Sequence, residues 1–187
     1  MEKIILILCF VCIGYLFIEK KRAMEQRKTF KYVIHINGIR GKSTVSRLID
    51  AGVRSGGYRT FTKTTGTSPR TISVSGEERE INRKGKANIK EQIKAINWAY
   101  KERADVLILE CMAVKPDLQY ICENRILNSD IGVITNVRED HLDEMGRTLD
   151  EIAESLSNTI PKNGAIFTSE KKYFEFFKGK AEKRNSK

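Results

Sequence analysis

A glycine-rich segment near the N-terminus limits the folds that are open to this chain. The segment reads HINGIRGKST, with glycines at Gly38 and Gly41. The apolar run Tyr32–Ile36 before it has the length of a short strand, and Ser43–Ser55 after it has apolar residues at helical spacing. A glycine loop between a strand and a helix is typical of phosphate-binding sites. The usual pattern, G-x-x-x-x-G-K-[ST], has a longer interval between its glycines than this chain has.

The loop predicts a site for the phosphates of ATP. Backbone N–H groups would surround the phosphate oxygens, and the helix N-terminus would add its partial positive charge. Lys42 is expected to reach the β- and γ-phosphates, and the Ser43 hydroxyl to ligate Mg²⁺. The expected nucleotide contacts in the loop are Gly38, Ile39, Arg40, Gly41, Lys42, Ser43 and Thr44. A glycine turn that only caps a helix is the alternative interpretation.

Strand and helix patterns alternate along the rest of the chain. Further strands are predicted at 58–63, 106–109, 131–137 and 165–168, and further helices at 89–103, 116–127, 149–159 and the basic C-terminal segment. The segment 71–81, TISVSGEEREI, predicts a hairpin. This order predicts an α/β domain with a mostly parallel sheet covered on both faces. Ligands are then expected at the carboxyl ends of the strands.

Two more predicted strands end in polar residues. Glu110 directly follows an apolar run, and its carboxylate is expected to bind Mg²⁺ beside the loop. The run at 131–137 contains Asn136, an expected nucleotide contact, and His141 follows in an acidic cluster. His141 is expected to ligate or orient a second metal ion. The alternatives are a solvated glutamate and an ordinary surface histidine, and His35 is expected to be a packed, hydrogen-bonded residue.

The N-terminus contains an uncharged run, Ile4–Ile18. As a helix this run spans about 22 Å, which is short for a bilayer. It fits either a signal-peptide core or a short membrane anchor with snorkelling lysines. The exit sequence Glu-Lys-Lys-Arg lacks small residues and favours one transmembrane helix over 1–20. The positive-inside rule then places a basic linker at 21–30 and a P-loop domain at 31–187 in the cytoplasm.

The chain is basic, with a formal net charge of +10 among its 187 residues. Such a charge favours polyanions, including nucleic acid, anionic lipid and acidic polymers. No nucleic-acid-binding motif occurs in the sequence, so nucleic acid is not expected as a partner. The four cysteines form neither a disulfide framework nor a metal pattern in polar surroundings, and a reducing compartment is expected.

Several motifs occur in one order: GIRGKST, KTTGT, ECMAV and DHLDEMG. GIRGKST resembles the G-x-x-G-K-[ST]-[ST] loop of the Mur ligase and folylpolyglutamate synthase superfamily. ECMAVKPD and NVREDHLDEMG resemble the later metal-site motifs of that superfamily. Behind one N-terminal helix, the whole order more closely resembles the ATP-dependent ligase subunit of poly-γ-glutamate synthase, the PgsB/CapB family.

The resemblance implies a Mur-ligase-like central domain and an ATP-dependent acid–amino-acid ligase. ATP would phosphorylate a glutamate carboxylate at the end of poly-γ-glutamate, and the amine of an incoming glutamate would attack the acyl phosphate. Lys42, Glu110 and His141 would be the catalytic residues. Ser43, Glu110 and His141 would hold Mg²⁺.

The resemblance also points to residues for the acidic substrate. Thr65, Gly66 and Thr67 in the TKTTGT segment would contact phosphate or substrate. Arg40 and Arg70 are the basic residues expected nearest to glutamate and to the acidic polymer. An ordinary turn and solvated arginines are the alternatives at these positions.

The family is longer than this chain, which corresponds to the N-terminal half without the C-terminal domain. Implied partners are the membrane, other synthase subunits including a multi-helix membrane protein, and a chain that supplies the C-terminal domain. The implied location is the bacterial cell membrane, with one membrane pass and a cytoplasmic domain. The alternative function is a non-catalytic or split P-loop subunit that docks to or regulates a complete synthase.

Overall fold

The structure is a computed structural model that describes residues 1–83, 85 and 87–187. The helices are α1 Glu2–Arg27, α2 Lys42–Ser55, α3 Lys90–Lys101, α4 Pro116–Ile121, α5 Leu142–Met145, α6 Leu149–Ser157 and α7 Phe174–Glu182, and a π-helix, Cys122–Leu127, continues α4. The strands are β1 Tyr32–Asn37, β2 Thr60–Lys63, β3 Arg70–Ile72, β4 Glu78–Glu80, β5 Val106–Glu110, β6 Ile131–Ile134 and β7 Ala165–Thr168.

The strands form one sheet in the order β4-β3-β2-β5-β1-β6-β7. Strands β2, β5, β1, β6 and β7 are parallel, whereas β3 and β4 form an antiparallel hairpin at one edge. The mostly parallel α/β sheet and the hairpin are therefore confirmed. Because β2, β5, β1 and β6 are neighbours that run in one direction, the loops after them meet at one edge.

The central strands are buried because helices cover both faces of the sheet. Alternate residues of a strand point to opposite faces. Leu107 and Leu109 of β5 pack with residues of α3 and the π-helix, whereas Val106 and Ile108 pack with α2. All four side chains are almost fully buried. This two-sided burial explains why β5 reads as a continuous apolar run.

Helix α1 contacts the domain only through its last turns. Ala23 and Gln26 are its buried residues. The side-chain amide of Gln26 donates to Asn97 Oδ1 at 3.0 Å, and Arg27 Nη2 donates to Asp130 Oδ2 at 2.8 Å. The helix therefore includes much of the segment 21–30 that the sequence predicted to be a linker.

The predicted transmembrane helix at 1–20 is wrong. Over the part of the chain that the structure describes, no helix is both long enough and apolar enough to cross a membrane. The physical reason is the short length of the uncharged run Ile4–Ile18. Lys3 directly precedes this run and Glu19 directly follows it. At about 22 Å it is shorter than a hydrocarbon core of about 30 Å.

Gly132 offers a test of packing around β6. A Cβ at this position would lie 2.7 Å from Pro161 Cδ and 2.9 Å from Ile166 Cδ1. We expect Gly132→Ala to lower the free energy of unfolding by about 1–3 kcal/mol, because the proline ring has little freedom to move. Urea denaturation measures this change.

Gly179 in α7 is the matched control. Among the described atoms, none lies within 4 Å of a Cβ built there, outside its own helical turn. Gly179→Ala should raise the free energy of unfolding by up to about 1 kcal/mol, since alanine favours helix. Equal stability of Gly132→Ala and the unaltered chain would contradict the close contact at β6.

Candidate active site

The loop after β1 needs glycine at two positions. Gly38 has φ +125° and Gly41 has φ +80°, both in the region that favours glycine. A Cβ at Gly38 would also lie 2.1 Å from Thr135 Oγ1, at the end of β6. The first glycine is therefore required by the close approach of the loop after β6.

Two side chains after β6 hold the loop in place. Asn136 Oδ1 accepts from the backbone N–H of Arg40 at 3.0 Å, and Asn136 Nδ2 donates to the Arg40 carbonyl at 2.9 Å. Thr135 Oγ1 donates to the same carbonyl at 2.8 Å. Asn136, a predicted nucleotide contact, thus contacts the backbone of the loop, and it is not among the residues that line the cavity described below.

The charged side chains of the loop have different surroundings. Lys42 Nζ donates to the Gly38 carbonyl at 2.7 Å and so lies along the loop itself. Arg40 Nη2 is 2.9 Å from Asp140 Oδ2, and its side chain is 70% exposed. Lys42 therefore lies against the loop backbone, whereas the guanidinium of Arg40 is mostly exposed and pairs with Asp140.

Glu110 at the end of β5 joins two loops. Its Oε2 accepts from Ser43 Oγ at 2.8 Å and from the Thr65 backbone N–H at 2.8 Å. Its Oε1 accepts from Thr65 Oγ1 at 2.7 Å. The side chain is buried, and these donors satisfy it. The structure therefore brings together three predicted site residues: Ser43, Thr65 and Glu110.

A cavity of about 630 Å³ lies at this edge of the sheet. It is lined by all seven loop residues at 38–44 and by Thr65, Gly66, Thr67, Glu110 and His141. The predicted residue Arg70 does not line it. Arg70 lies on β3, where its Nε is 3.6 Å from Glu78 Oε1. The strand pairing of the hairpin thus directs Arg70 to another acidic partner.

His141 lines the cavity from the β6 side. It has φ +50° and immediately precedes α5. Across residues 1–83, 85 and 87–187, no group of three or more His, Cys, Asp or Glu side chains is placed to hold a metal ion. The role of His141 as a metal ligand stays a prediction.

The oxygen atoms of Ser43 and Glu110 nevertheless fit a magnesium-like ion. They lie 2.8 Å apart at the wall of the cavity that contains the loop. Mg²⁺ is commonly held by one or two carboxylates together with phosphate oxygens and water, and does not need a full protein cage. These two residues are therefore the candidates for a metal that a nucleotide brings with it.

The cavity also has lining residues that sequence reasoning missed. They include Arg83, Cys111 and Met112. Arg83 lies in the segment INRKGKAN between β4 and α3, which matches no motif. Its position depends on contacts with Gly66 and Glu91, and these contacts leave no local pattern in the sequence.

A buried histidine in β1 contacts the π-helix. His35 Nδ1 is 2.8 Å from Glu123 Oε2 in the π-helix. Glu123 also accepts from the backbone N–H and the hydroxyl of Ser129. Burial alone lowers the pKa of His35, but the neighbouring Cys111 thiol and the Glu123 carboxylate raise this pKa to about 10. The expectation that His35 is packed and hydrogen-bonded is confirmed.

A parallel sheet with this loop and a strand-end carboxylate defines an α/β domain of the phosphate-loop class. The chain belongs to the Mur ligase family, because the family model of the Mur ligase middle domain matches residues 36–187. The resemblance drawn from the motifs is thus confirmed.

Two relatives are similar along almost the whole chain. The capsule biosynthesis protein CapB of Bacillus anthracis is 45% identical over 183 residues, which are 95% of this chain and 39% of the relative. The PGA synthase CapB of Bacillus subtilis (strain 168) is 44% identical over 186 residues, which are 98% of this chain and 47% of the relative. The chain therefore spans less than half the length of these relatives.

Solved structures share the fold. A mutant of L. casei folylpolyglutamate synthase matches with a TM-score of 0.70 and 14% identity, over 91% of this chain and 47% of that chain. A bifunctional folylpolyglutamate synthase/dihydrofolate synthase with Mn, AMPPNP and L-glutamate bound matches with a TM-score of 0.60 and 16% identity, over 90% and 46%. These TM-scores show a common fold, and at this level of identity the similarity shows the fold alone.

The pair of His35 and Glu123 predicts a pH effect on stability. Because the pKa of His35 is raised from 6.5 to about 10, its stabilising contribution is complete below pH 6.5 and is lost as pH rises through about 10. Cys111 and Glu123 both raise this pKa, and Glu123→Gln removes only the contribution of Glu123. We expect the difference in unfolding free energy between the unaltered chain and Glu123→Gln to shrink over this range. Denaturant unfolding at several pH values measures it. A difference that stays constant with pH would contradict the charged pair.

Proposed function

We propose that this chain is the nucleotide-binding part of an ATP-dependent amide ligase that synthesises poly-γ-glutamate. One observation carries the proposal: Ser43 and Thr65 donate hydrogen bonds to the Glu110 carboxylate at the cavity that the loop of Lys42 also lines. Membership of the Mur ligase family and 44–45% identity to the two CapB proteins support the reaction and the polymer.

The proposed cofactors are ATP and a divalent cation, with Mg²⁺ as the physiological ion. A structural neighbour with Mn, AMPPNP and L-glutamate bound supports a nucleotide and a divalent cation. The proposed substrates are glutamate and the carboxylate end of the acidic polymer. The other synthase subunits and the location in the cell stay predictions.

The loop residues would bind and orient the nucleotide. The backbone N–H groups of Gly38, Ile39 and Arg40 donate within the protein, so the N–H groups at 41–43 and the N-terminus of α2 would hold the phosphate oxygens. The ammonium of Lys42 would exchange the Gly38 carbonyl for the β- and γ-phosphates. A metal bound by Ser43 and Glu110 would neutralise part of the phosphate charge.

The reaction then needs a carboxylate in line with the γ-phosphate and an amine close to the carbon of that carboxylate. The γ-carboxylate of the acyl donor attacks the phosphorus atom, ADP leaves, and an acyl phosphate forms. The amine of the second glutamate attacks the acyl carbon, loses a proton, and displaces inorganic phosphate as the amide bond forms. The protein contributes by positioning these groups and by stabilising the transferring phosphoryl group.

Lys42→Ala tests the phosphate site. We expect this change to weaken the binding of Mg²⁺ and AMPPNP by about tenfold or more, because a hydrogen bond to a charged group contributes about 1.5–3 kcal/mol. Isothermal titration calorimetry measures the affinity. The folded state is checked by thermal unfolding, since Lys42 also contacts the loop carbonyl of Gly38.

Lys178→Ala is the matched control for this experiment. Lys178 lies on α7 with a 55% exposed side chain, 3.9 Å from Glu175, and should leave nucleotide affinity unchanged. If Lys42→Ala binds the nucleotide as tightly as the unaltered chain, Lys42 does not contact the phosphates.

Glu110→Gln tests the metal role and the ligase reaction together. In the assembled synthase that contains this chain, phosphate release from ATP should require glutamate and a divalent cation. Glu110→Gln removes the negative charge at almost constant size, so the rate should fall about tenfold or more and should recover partly at higher Mg²⁺ concentration. A phosphate-release assay with and without glutamate measures this.

Glu175→Gln, an 81% exposed carboxylate on α7, is the control and should have the normal rate. Release of phosphate without any dependence on glutamate would argue against amide ligation. A normal rate in Glu110→Gln at low Mg²⁺ would argue against the metal role of Glu110.

A further inference from the structure

We propose that Arg83 binds a carboxylate group of the γ-glutamyl substrate, on the β2 side of the cavity that contains the phosphate loop. This inference rests on the proposed function, because it names a residue that recognises the acidic substrate at the same site. Arg83 lines the cavity, and its side chain is 20% exposed. It lies outside every motif in the sequence.

The sheet order places Arg83 apart from the phosphates. The phosphate loop follows β1, whereas Gly66, whose carbonyl accepts from Arg83 Nη1 at 3.4 Å, follows β2. Strand β5 lies between β1 and β2. Two strand spacings amount to roughly 10 Å. Arg83 is therefore suited to a second group of the substrate, while the reacting carboxylate meets the nucleotide near β1 and β5.

Glu91 holds the guanidinium of Arg83 in a fixed orientation. Arg83 Nε donates to Glu91 Oε1 at 2.8 Å, and Arg83 Nη2 donates to Glu91 Oε2 at 3.1 Å. A guanidinium has five N–H donors. Among the contacts of the described residues, Glu91 takes two donors and Gly66 takes one. The remaining donors lie on the two terminal nitrogens, and that end of a guanidinium can bind a carboxylate through two parallel hydrogen bonds.

A second basic residue contacts the same carboxylate. Lys63 Nζ lies 3.5 Å from Glu91 Oε2, and the Lys63 side chain is fully buried. Burial raises the pKa of Glu91, but Arg83 and Lys63 outweigh burial and lower it, so Glu91 stays ionised. Burial lowers the pKa of Lys63, and the Glu91 carboxylate opposes this shift. Glu91 is thus shared by two basic groups, of which Arg83 lines the cavity.

The chemistry of the polymer supplies the matching group. In a γ-linked chain the side-chain carboxylate reacts, and every residue keeps its α-carboxylate. Only the Cα, Cβ and Cγ atoms of the terminal residue separate its α-carboxylate from the carboxylate that is phosphorylated, so the two groups stay close together. Free glutamate offers the same chemical group from the amine side, so the experiment includes both sources.

The test measures the binding of two probes, tri-γ-glutamate and free glutamate, by calorimetry with and without Mg²⁺ and AMPPNP. We expect Arg83→Met to lower the affinity for the probe about tenfold or more, because a charged, bidentate contact is lost. The affinity for AMPPNP should stay unchanged. Arg83→Lys should bind with intermediate affinity, since it keeps the charge and loses the fork. The probe whose binding depends on Arg83 identifies the source of the carboxylate.

Arg79→Met is the matched control. Arg79 has a 70% exposed side chain that pairs with Glu77, and it does not line the cavity, so probe affinity should stay unchanged. Unchanged probe affinity in Arg83→Met overturns the inference, and so does a wild-type chain that binds AMPPNP but neither probe. A wild-type chain that binds a probe through Arg83 but fails to bind AMPPNP supports this inference and refutes the proposed function.

Discussion

The buried carboxylate of Glu110 is the interaction on which the geometry of the site depends. An ionised carboxylate is costly to bury unless donors surround it. Here the donors are the Ser43 hydroxyl and two groups of Thr65, which belong to the loops after β1 and β2. The contacts that satisfy the carboxylate therefore also hold these two loops together. Because β5 lies between β1 and β2, the parallel sheet itself sets the spacing of this bridge.

The other side of the phosphate loop is held by close packing and by hydrogen bonds of an uncharged side chain. Gly38 approaches Thr135 so closely that any Cβ would collide with it, and Asn136 pairs with both backbone groups of Arg40. The loop is thus fixed by β5 through Glu110 and by β6 through Asn136.

Local patterns allowed the sheet and the phosphate loop to be predicted. The apolar run of β5 ends at Glu110 in the sequence as in the structure, because a buried strand needs continuous apolar residues. Asn136 was predicted as a nucleotide contact, and its contacts with the phosphate loop were not predicted because they join segments that are distant in the sequence. Arg70 was predicted near the substrate, but the hairpin register pairs it with Glu80, and its side chain lies 3.6 Å from Glu78 Oε1. The transmembrane prediction was wrong because the uncharged run Ile4–Ile18 is too short to span a membrane.

Net charge alone explains little of how an acidic substrate would be recognised. Arg40 is 70% exposed beside Asp140, so water and salt weaken its interactions. Arg83 is held by the partly buried carboxylate of Glu91, and Lys63 balances the charge of Glu91 from inside the domain. A guanidinium that is already oriented loses less entropy when it binds a carboxylate. If the proposal for Arg83 holds, selectivity for a carboxylate at this cavity would come from one positioned arginine rather than from the +10 charge of the chain.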